Sequence, residues 1–318
     1  MRRRTSAGIY WRLALTLAVV IGLGRCAPPH VPTVPGLTLP DRLQIRSGGR
    51  VVSVPLEEYV LGTTLAEVSP GDQSGDTAMR IFEVQSILAR TYGVAGVGRH
   101  RADGFDLCDS THCQVYDPAR IRTSRFTATA RTAAEHTAGE VITYGNRPVE
   151  ALFHADCGGQ TAAAETVWGG RAVPYLLSAP DKLPTDPHRK WRASITADRL
   201  RTALNADQLS SVGRTLDDVR VTTRDVSGRV VTASITGERP KTLRGEQLRS
   251  IINATLGDRS ILSTRLTITH SGSSYVFEGT GFGHGVGLCQ VGAAARARRG
   301  DSVEQILAFY YPGATLRR

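Results

Sequence analysis

Residues 78–92 constrain the fold most. At helical spacing Ala78, Ile81, Phe82, Ile87, Leu88 and Ala89 wrap most of a helix's circumference rather than one stripe of it. A surface helix needs apolar residues on one face only, so a helix apolar nearly all round has to be enclosed by other elements. Several neighbours are legible. A strand at Arg50–Val54 leads into a helix over 56–68 (LEEYVLGTTLAEV). Pro55 suits its first turn, Glu57 and Glu58 lie beside its positive end, and Ser69-Pro70-Gly71 stops it. A third helix is predicted at Thr127–Thr137. Strands at Glu140–Tyr144 and Val149–His154 follow, joined through a Gly145-Asn146 turn.

The section from about 181 to 262 is richer in charge. It predicts a helix near Thr196–Leu204, a hairpin over Val219–Thr236 turning at Ser227-Gly228, and a helix at Glu246–Leu256. It reads as a subdomain or a large insertion. Strands at Arg265–His270 and Tyr275–Glu278 come next, then a glycine-rich loop and helices at about Cys289–Arg298 and Val303–Tyr310. Helices and strands mix without regular βαβ alternation, so the expected class is α+β, with one core domain over 41–318 and a smaller subdomain inside it. With 41% apolar residues, a core can form without disulfides or metal carrying the fold.

The first segment stands apart. Met1-Arg2-Arg3-Arg4 is basic, Leu13–Leu23 is an apolar run too short for a confident membrane span, and no acid precedes Asp41. This pattern reads as a secretory signal over 1–26, either cleaved or retained as an anchor. Cys26 is placed like a lipid-modified cysteine, although Arg25 stands where such signals want a small residue. Residues 27–40 hold five prolines and read as a stiff tether. An exported, cell-envelope protein is the expectation. The net charge is +10, of which about +5 remains beyond Cys26. That suits an anionic wall polymer or solubility alone, and no nucleic-acid signature accompanies it.

The loop Gly279-Thr-Gly-Phe-Gly-His-Gly-Val-Gly287 has five glycines in nine residues, with His284 inside it. It permits tight turns and close approach of a ligand. It matches neither G-x-G-x-x-G nor a P-loop, so nucleotide binding is not supported. There is no G-x-S-x-G elbow and no H-E-x-x-H helix. Cys157 and Cys289 lie near His154 and His284, but nothing local marks an activated thiolate.

Four stretches form a recognisable set: LEEYVLGTTLAEV (56–68), EVQSILARTY (83–92), FHADCGGQT (153–161) and GHGVGLCQVGA (283–293), with YYPGATL (310–316) closing the chain. The set resembles the stage II sporulation protein D and amidase-enhancer family over residues 50–318. The resemblance implies a peptidoglycan lytic transglycosylase that cuts MurNAc–GlcNAc bonds in peptide-stripped glycan strands. The family's essential glutamate ends the first helix motif, a position matched here by Glu67. The chemistry agrees: one carboxyl group can protonate the leaving oxygen and then deprotonate the muramic acid 6-hydroxyl, which closes a 1,6-anhydro ring. Such an acid needs a raised pKa. Gln85, Arg90, Tyr92, His154, Cys157, Gly158, His284 and Gln290 are candidate sugar-binding residues. The alternative role, also from the resemblance, is a non-catalytic enhancer or glycan-binding module that stimulates an N-acetylmuramoyl-L-alanine amidase.

The resemblance also raises a metal. Some family members bind zinc with one His and two Cys in this region, which points to His100, Cys108 and Cys113, with His112 as a further candidate. Seven residues separate His100 from Cys108 and four separate the cysteines, which departs from the expected zinc pattern. A Cys108–Cys113 disulfide, favoured by export, is the rival reading. No cofactor is required for the chemistry; any zinc is expected to be structural.

Overall fold

The computed structural model describes residues 33–34, 38–73, 75–181 and 188–318. The signal over 1–26, Cys26 and most of the proline-rich stretch lie outside the described residues. Within the stretch read as a stiff tether, Thr33–Val34 forms a short parallel pair with Leu316–Arg317. The fold is mixed α+β, built from several small sheets and helices.

The enclosed helix, α2, runs over Gly75–Ala95, and α1 over Leu56–Glu67 packs beside it. In α2, Phe82, Ile87, Leu88 and Ala89 are completely buried, as their all-round pattern requires. Helix Thr127–His136 covers one side, while helices Gln290–Arg299 and Val303–Tyr310 also pack on α2. Leu43, Ile45, Tyr59, Leu107, Ile142 and Leu316 join the same core.

Strand Arg50–Pro55 has a partner the sequence did not announce, Arg42–Ser47, through a Gly48-Gly49 turn with both residues at positive φ. Leu107–Cys108 adds to it in parallel. The expected strand Val149–His154 is broken. The last bond to 141–144 runs from Val149 N–H to Ile142 O at 3.0 Å, and Leu152 N–H then bonds to Glu150 O at 2.7 Å in a tight turn. Phe153–His154 then pairs in parallel with Leu288–Cys289. That redirection brings the FHADCGG and GHGVGLCQ segments side by side.

The middle section has its own core, distinct from the first and centred on Leu200, Val219, Ile235, Leu248, Ile252 and Phe277. It extends past residue 262, because strand Ser274–Thr280 pairs with both Leu266–Ser271 and Lys190–Thr196. Helix Gly245–Leu256 packs on strand Val230–Gly237, and its first turn faces the main core across a cleft. Among the described residues no helix is long and apolar enough to cross a membrane.

Candidate active site

Helix α1 ends at Glu67 because Val68 turns extended ahead of Ser69-Pro70. The carboxylate at this end projects into a cleft of roughly 1100 Å³ between the two cores. Its Oε1 accepts the backbone N–H of Val115 at 2.6 Å. Burial pushes the Glu67 carboxyl above its ordinary value, and the Val115 hydrogen bond pulls part of the way back. The helix C-terminus, negative by its dipole, acts with burial. Gln290 Nε2 donates to the Glu67 carbonyl and to Gln85 Oε1, each at 3.2 Å, tying α1, α2 and the last-but-one helix together behind the carboxylate.

The floor is built by the redirected strand and the glycine loop. His154 and His284 stand with ring centroids 5.4 Å apart, and Trp168 lies 5.1 Å from His284. Gly283, at φ +103°, passes so close to His154 that a Cβ would meet the histidine Cβ at 2.8 Å. Burial, with Arg229 and Arg249 nearby, brings His284 down to about 3. Its Nδ1 accepts Val286 N–H at 3.1 Å, so the neutral ring carries its proton on Nε2, which the Phe153 backbone engages. Burial likewise holds His154 well below its ordinary value, helped by His284 and Arg229.

The opposite wall comes from the middle section: Arg244, Gln247, Arg249, Ser250 and Arg259, with Glu246. Glu246 is paired with Arg249 at 2.5 Å. Glu67 is therefore the lining carboxylate with no cationic partner, facing a wall rich in arginine.

The expected site residues divide. Glu67, Tyr92, His154, His284 and Gln290 line the cleft, and Gln85 is buried one hydrogen bond behind it. Arg90 is elsewhere. It is 0% exposed, grips Glu57 through both carboxylate oxygens at 2.8 and 2.7 Å, and donates to the carbonyls of Glu140 and Ala134. It knits α2 to α1 and cannot reach a sugar. Cys157 and Gly158 also miss the cleft. Cys157 is fully buried, and Gly158 packs on Thr280 beneath the loop, because the chain turns inward after His154. Sequence reasoning missed Trp168 and the arginine wall. Trp168, a large apolar side chain left 43% exposed, carried a weak signal; the Val115 N–H carried none.

At one end of the cleft, His100, Cys108, His112 and Cys113 gather with ligand atoms all within 4.8 Å of one another. His100 Nε2 lies 3.4 Å from Cys113 Sγ, and His112 Nδ1 lies 3.7 and 3.6 Å from the two sulfurs. Both thiols are free. Burial opposes ionisation of Cys108, but Ser110, Cys113 and His112 outweigh it and bring the thiol down to about 7. Two thiols and two imidazoles at this spacing fit tetrahedral zinc.

Residues 46–144 match the family model described as Stage II sporulation protein, and residues 184–287 match one described as a domain of unknown function. Stage II sporulation protein D of Bacillus subtilis (strain 168) is 30% identical over 282 residues, spanning 84% of this chain and 75% of that protein. Its counterpart from Bacillus amyloliquefaciens is 29% identical over 283 residues, 85% of this chain and 76% of that one. The amidase enhancer of Bacillus subtilis (strain 168) is 27% identical over 299 residues, spanning 79% of this chain but 40% of its own length.

Proposed function

Because this chain belongs to the stage II sporulation protein D family, we propose that its cleft cleaves peptidoglycan glycan strands by lytic transglycosylation at the cell envelope, with Glu67 as acid and base. The observation that carries this reading is Glu67 itself: a part-buried, raised-pKa carboxyl group without a cationic partner among the cleft residues, in a cleft of roughly 1100 Å³.

Glu67 starts protonated and gives its proton to the glycosidic oxygen as the bond to C1 of the muramic acid breaks. The muramic acid 6-hydroxyl then attacks C1, and the Glu67 carboxylate takes its proton. The products are a 1,6-anhydro end and a free 4-hydroxyl end, and the acid is restored. Inverting and retaining hydrolases need a second carboxylate for water or a covalent intermediate. Glu246, held by Arg249, is the other lining carboxylate and is already neutralised. Val115 N–H steadies the ionised carboxylate halfway through the cycle. Trp168, exposed beside His284, offers a ring face to the sugar. Zinc held by His100, Cys108, His112 and Cys113 would act structurally, fixing the loop that presents Val115.

The name of one relative, amidase enhancer, supports a second role: a wall amidase as partner, stimulated by strand binding. Both roles are tested by incubating the chain with peptide-free glycan strands and analysing products by mass spectrometry beside Glu67→Gln. Anhydro products lost in the variant support the enzyme; strands bound but returned intact by well-folded protein leave the partner role.

A further inference from the structure

Beneath the cleft floor, His154, Cys157 and Cys289 converge. All three are buried, and their ligand atoms lie within 4.8 Å of one another. The proposed glycan reaction uses His154 only as a wall and the two cysteines not at all.

The two nitrogens of His154 have different fates. Nδ1 lies 3.1 Å from the Val286 carbonyl, which can only accept, so Nδ1 carries the ring proton. Nε2 is then a lone-pair nitrogen, and it is buried with no partner. An unmatched buried acceptor carries the desolvation cost of its lone pair with nothing to offset it. An imidazole clamped to a backbone carbonyl through one nitrogen, with the other left free, is the usual posture of a metal ligand.

The sulfurs are prepared in the same sense. Cys157 Sγ accepts Gly159 N–H at 3.3 Å, and Cys289 Sγ accepts the N–H groups of Cys157 at 3.2 Å and Gly292 at 3.4 Å. Cys289 is also the N-cap of helix Gln290–Arg299, at the positive end of its dipole. Three backbone N–H groups thus converge on the two sulfurs, while burial and the neighbouring Cys157 and Asp181 push the Cys289 thiol up, so the cluster holds donors for a charge that a bound cation would balance. Asp181, held by Arg296 at Oδ1 and by Tyr310 at Oδ2, accepts from Cys157 Sγ at Oδ2 across 3.7 Å and places a carboxylate oxygen beside the pair.

We propose that His154, Cys157 and Cys289 form a buried structural site for a thiophilic divalent cation, zinc above all, distinct from the His100–Cys113 cluster. Bonds of about 2.3 Å to sulfur and 2.0–2.1 Å to nitrogen put tetrahedral ligands roughly 3.5–4 Å apart, so atoms within 4.8 Å of one another need to close by at most about 1.3 Å. The ion would lock strand Phe153–His154 to strand Leu288–Cys289 and hold the helix that presents Gln290. A Cys157–Cys289 disulfide would leave Nε2 unmatched and the sulfur-directed N–H groups without a charge to meet.

The test takes the chain carrying Cys108→Ser and Cys113→Ser, which silences the other cluster. After exposure to zinc and desalting, elemental analysis should find about one equivalent, falling to background when Cys289→Ser or His154→Ala is added. Cobalt(II) should replace zinc with sulfur-to-cobalt absorption in the near ultraviolet. The cobalt titration needs no change to the proposed ligands, so it decides the matter even where Cys289→Ser fails to fold. If the doubly substituted parent fails to fold, loss of one equivalent between the unaltered chain and His154→Ala is the expected result. A metal-free parent, a Cys157–Cys289 disulfide in the peptide map, or a cobalt spectrum without sulfur bands would overturn the proposal. None of these readouts depends on glycan cleavage.

Discussion

The backbone N–H of Val115 donates to Glu67 Oε1 across 2.6 Å, from a loop 48 positions further along the chain. It is the one contact that opposes burial in setting the carboxyl group's protonation. The same loop begins at Cys113, so the candidate zinc cluster lies only two residues along the chain from the N–H that contacts the acid.

Removing that donor should therefore move the pH profile. Glu67 must be protonated at the start of the cycle, so activity falls as pH rises through its pKa. Val115→Pro deletes the N–H that favours the charged form, so the alkaline limb of kcat should shift upward by on the order of one pH unit. A limb unmoved, or moved down, in a folded variant would contradict the role given to Glu67.

Glu67→Gln should lose roughly 100-fold or more in cleavage rate, the usual scale for a general acid. It should also gain stability. Because folding raises the Glu67 pKa, its favourable contribution is present in full below the unfolded value and is lost as pH rises through the folded one. Near neutral pH the uncharged variant should be more stable by on the order of 1 kcal/mol. Thermal melts of both proteins across pH check the sign.

Trp168→Ala removes the exposed ring beside His284. A loss of about 1–2 kcal/mol in glycan affinity is expected, seen as a KM about tenfold higher with kcat nearly unchanged. An equal fall in kcat would place the ring in the reaction itself.

Arg90→Met tests a residue that motif reading would have placed on the sugar. The loss of two bonds to Glu57 and two to backbone carbonyls should cost about 3 kcal/mol of stability. At a temperature where the variant stays folded, KM should be unchanged.

Stripping metal from the His100, Cys108, His112 and Cys113 cluster should loosen the Val115 loop. Chelation should lower Tm by several degrees, on the scale of a few kcal/mol, and reduce kcat more than it raises KM. Zinc should restore both. A chelator-treated protein with unchanged Tm and a Cys108–Cys113 disulfide would favour the cystine instead.

Sequence alone carried the helices. The all-round apolar face of α2, the acidic start and Ser-Pro-Gly stop of α1, and the Gly145-Asn146 turn are local patterns, and local patterns survive in one dimension. Glu67 at the end of its helix was legible for the same reason. Strand 42–47 and the short pairs at 107–108 and 153–154 were not. Each is defined by a partner distant in the chain, and no periodicity records a partner.

Tertiary structure decided the rest. Arg90 and Tyr92 sit two positions apart on α2, yet one is sealed against Glu57 and the other opens on the cleft, because residues two apart on a helix face different sides. Cys157, three residues past His154, turns into the core to meet Cys289. The sequence determined which residue types were on hand for acid chemistry and for metal. Burial, and the approach of one N–H from Val115, decided the protonation of Glu67, because a pKa depends on desolvation and neighbouring dipoles that exist only once the chain has packed.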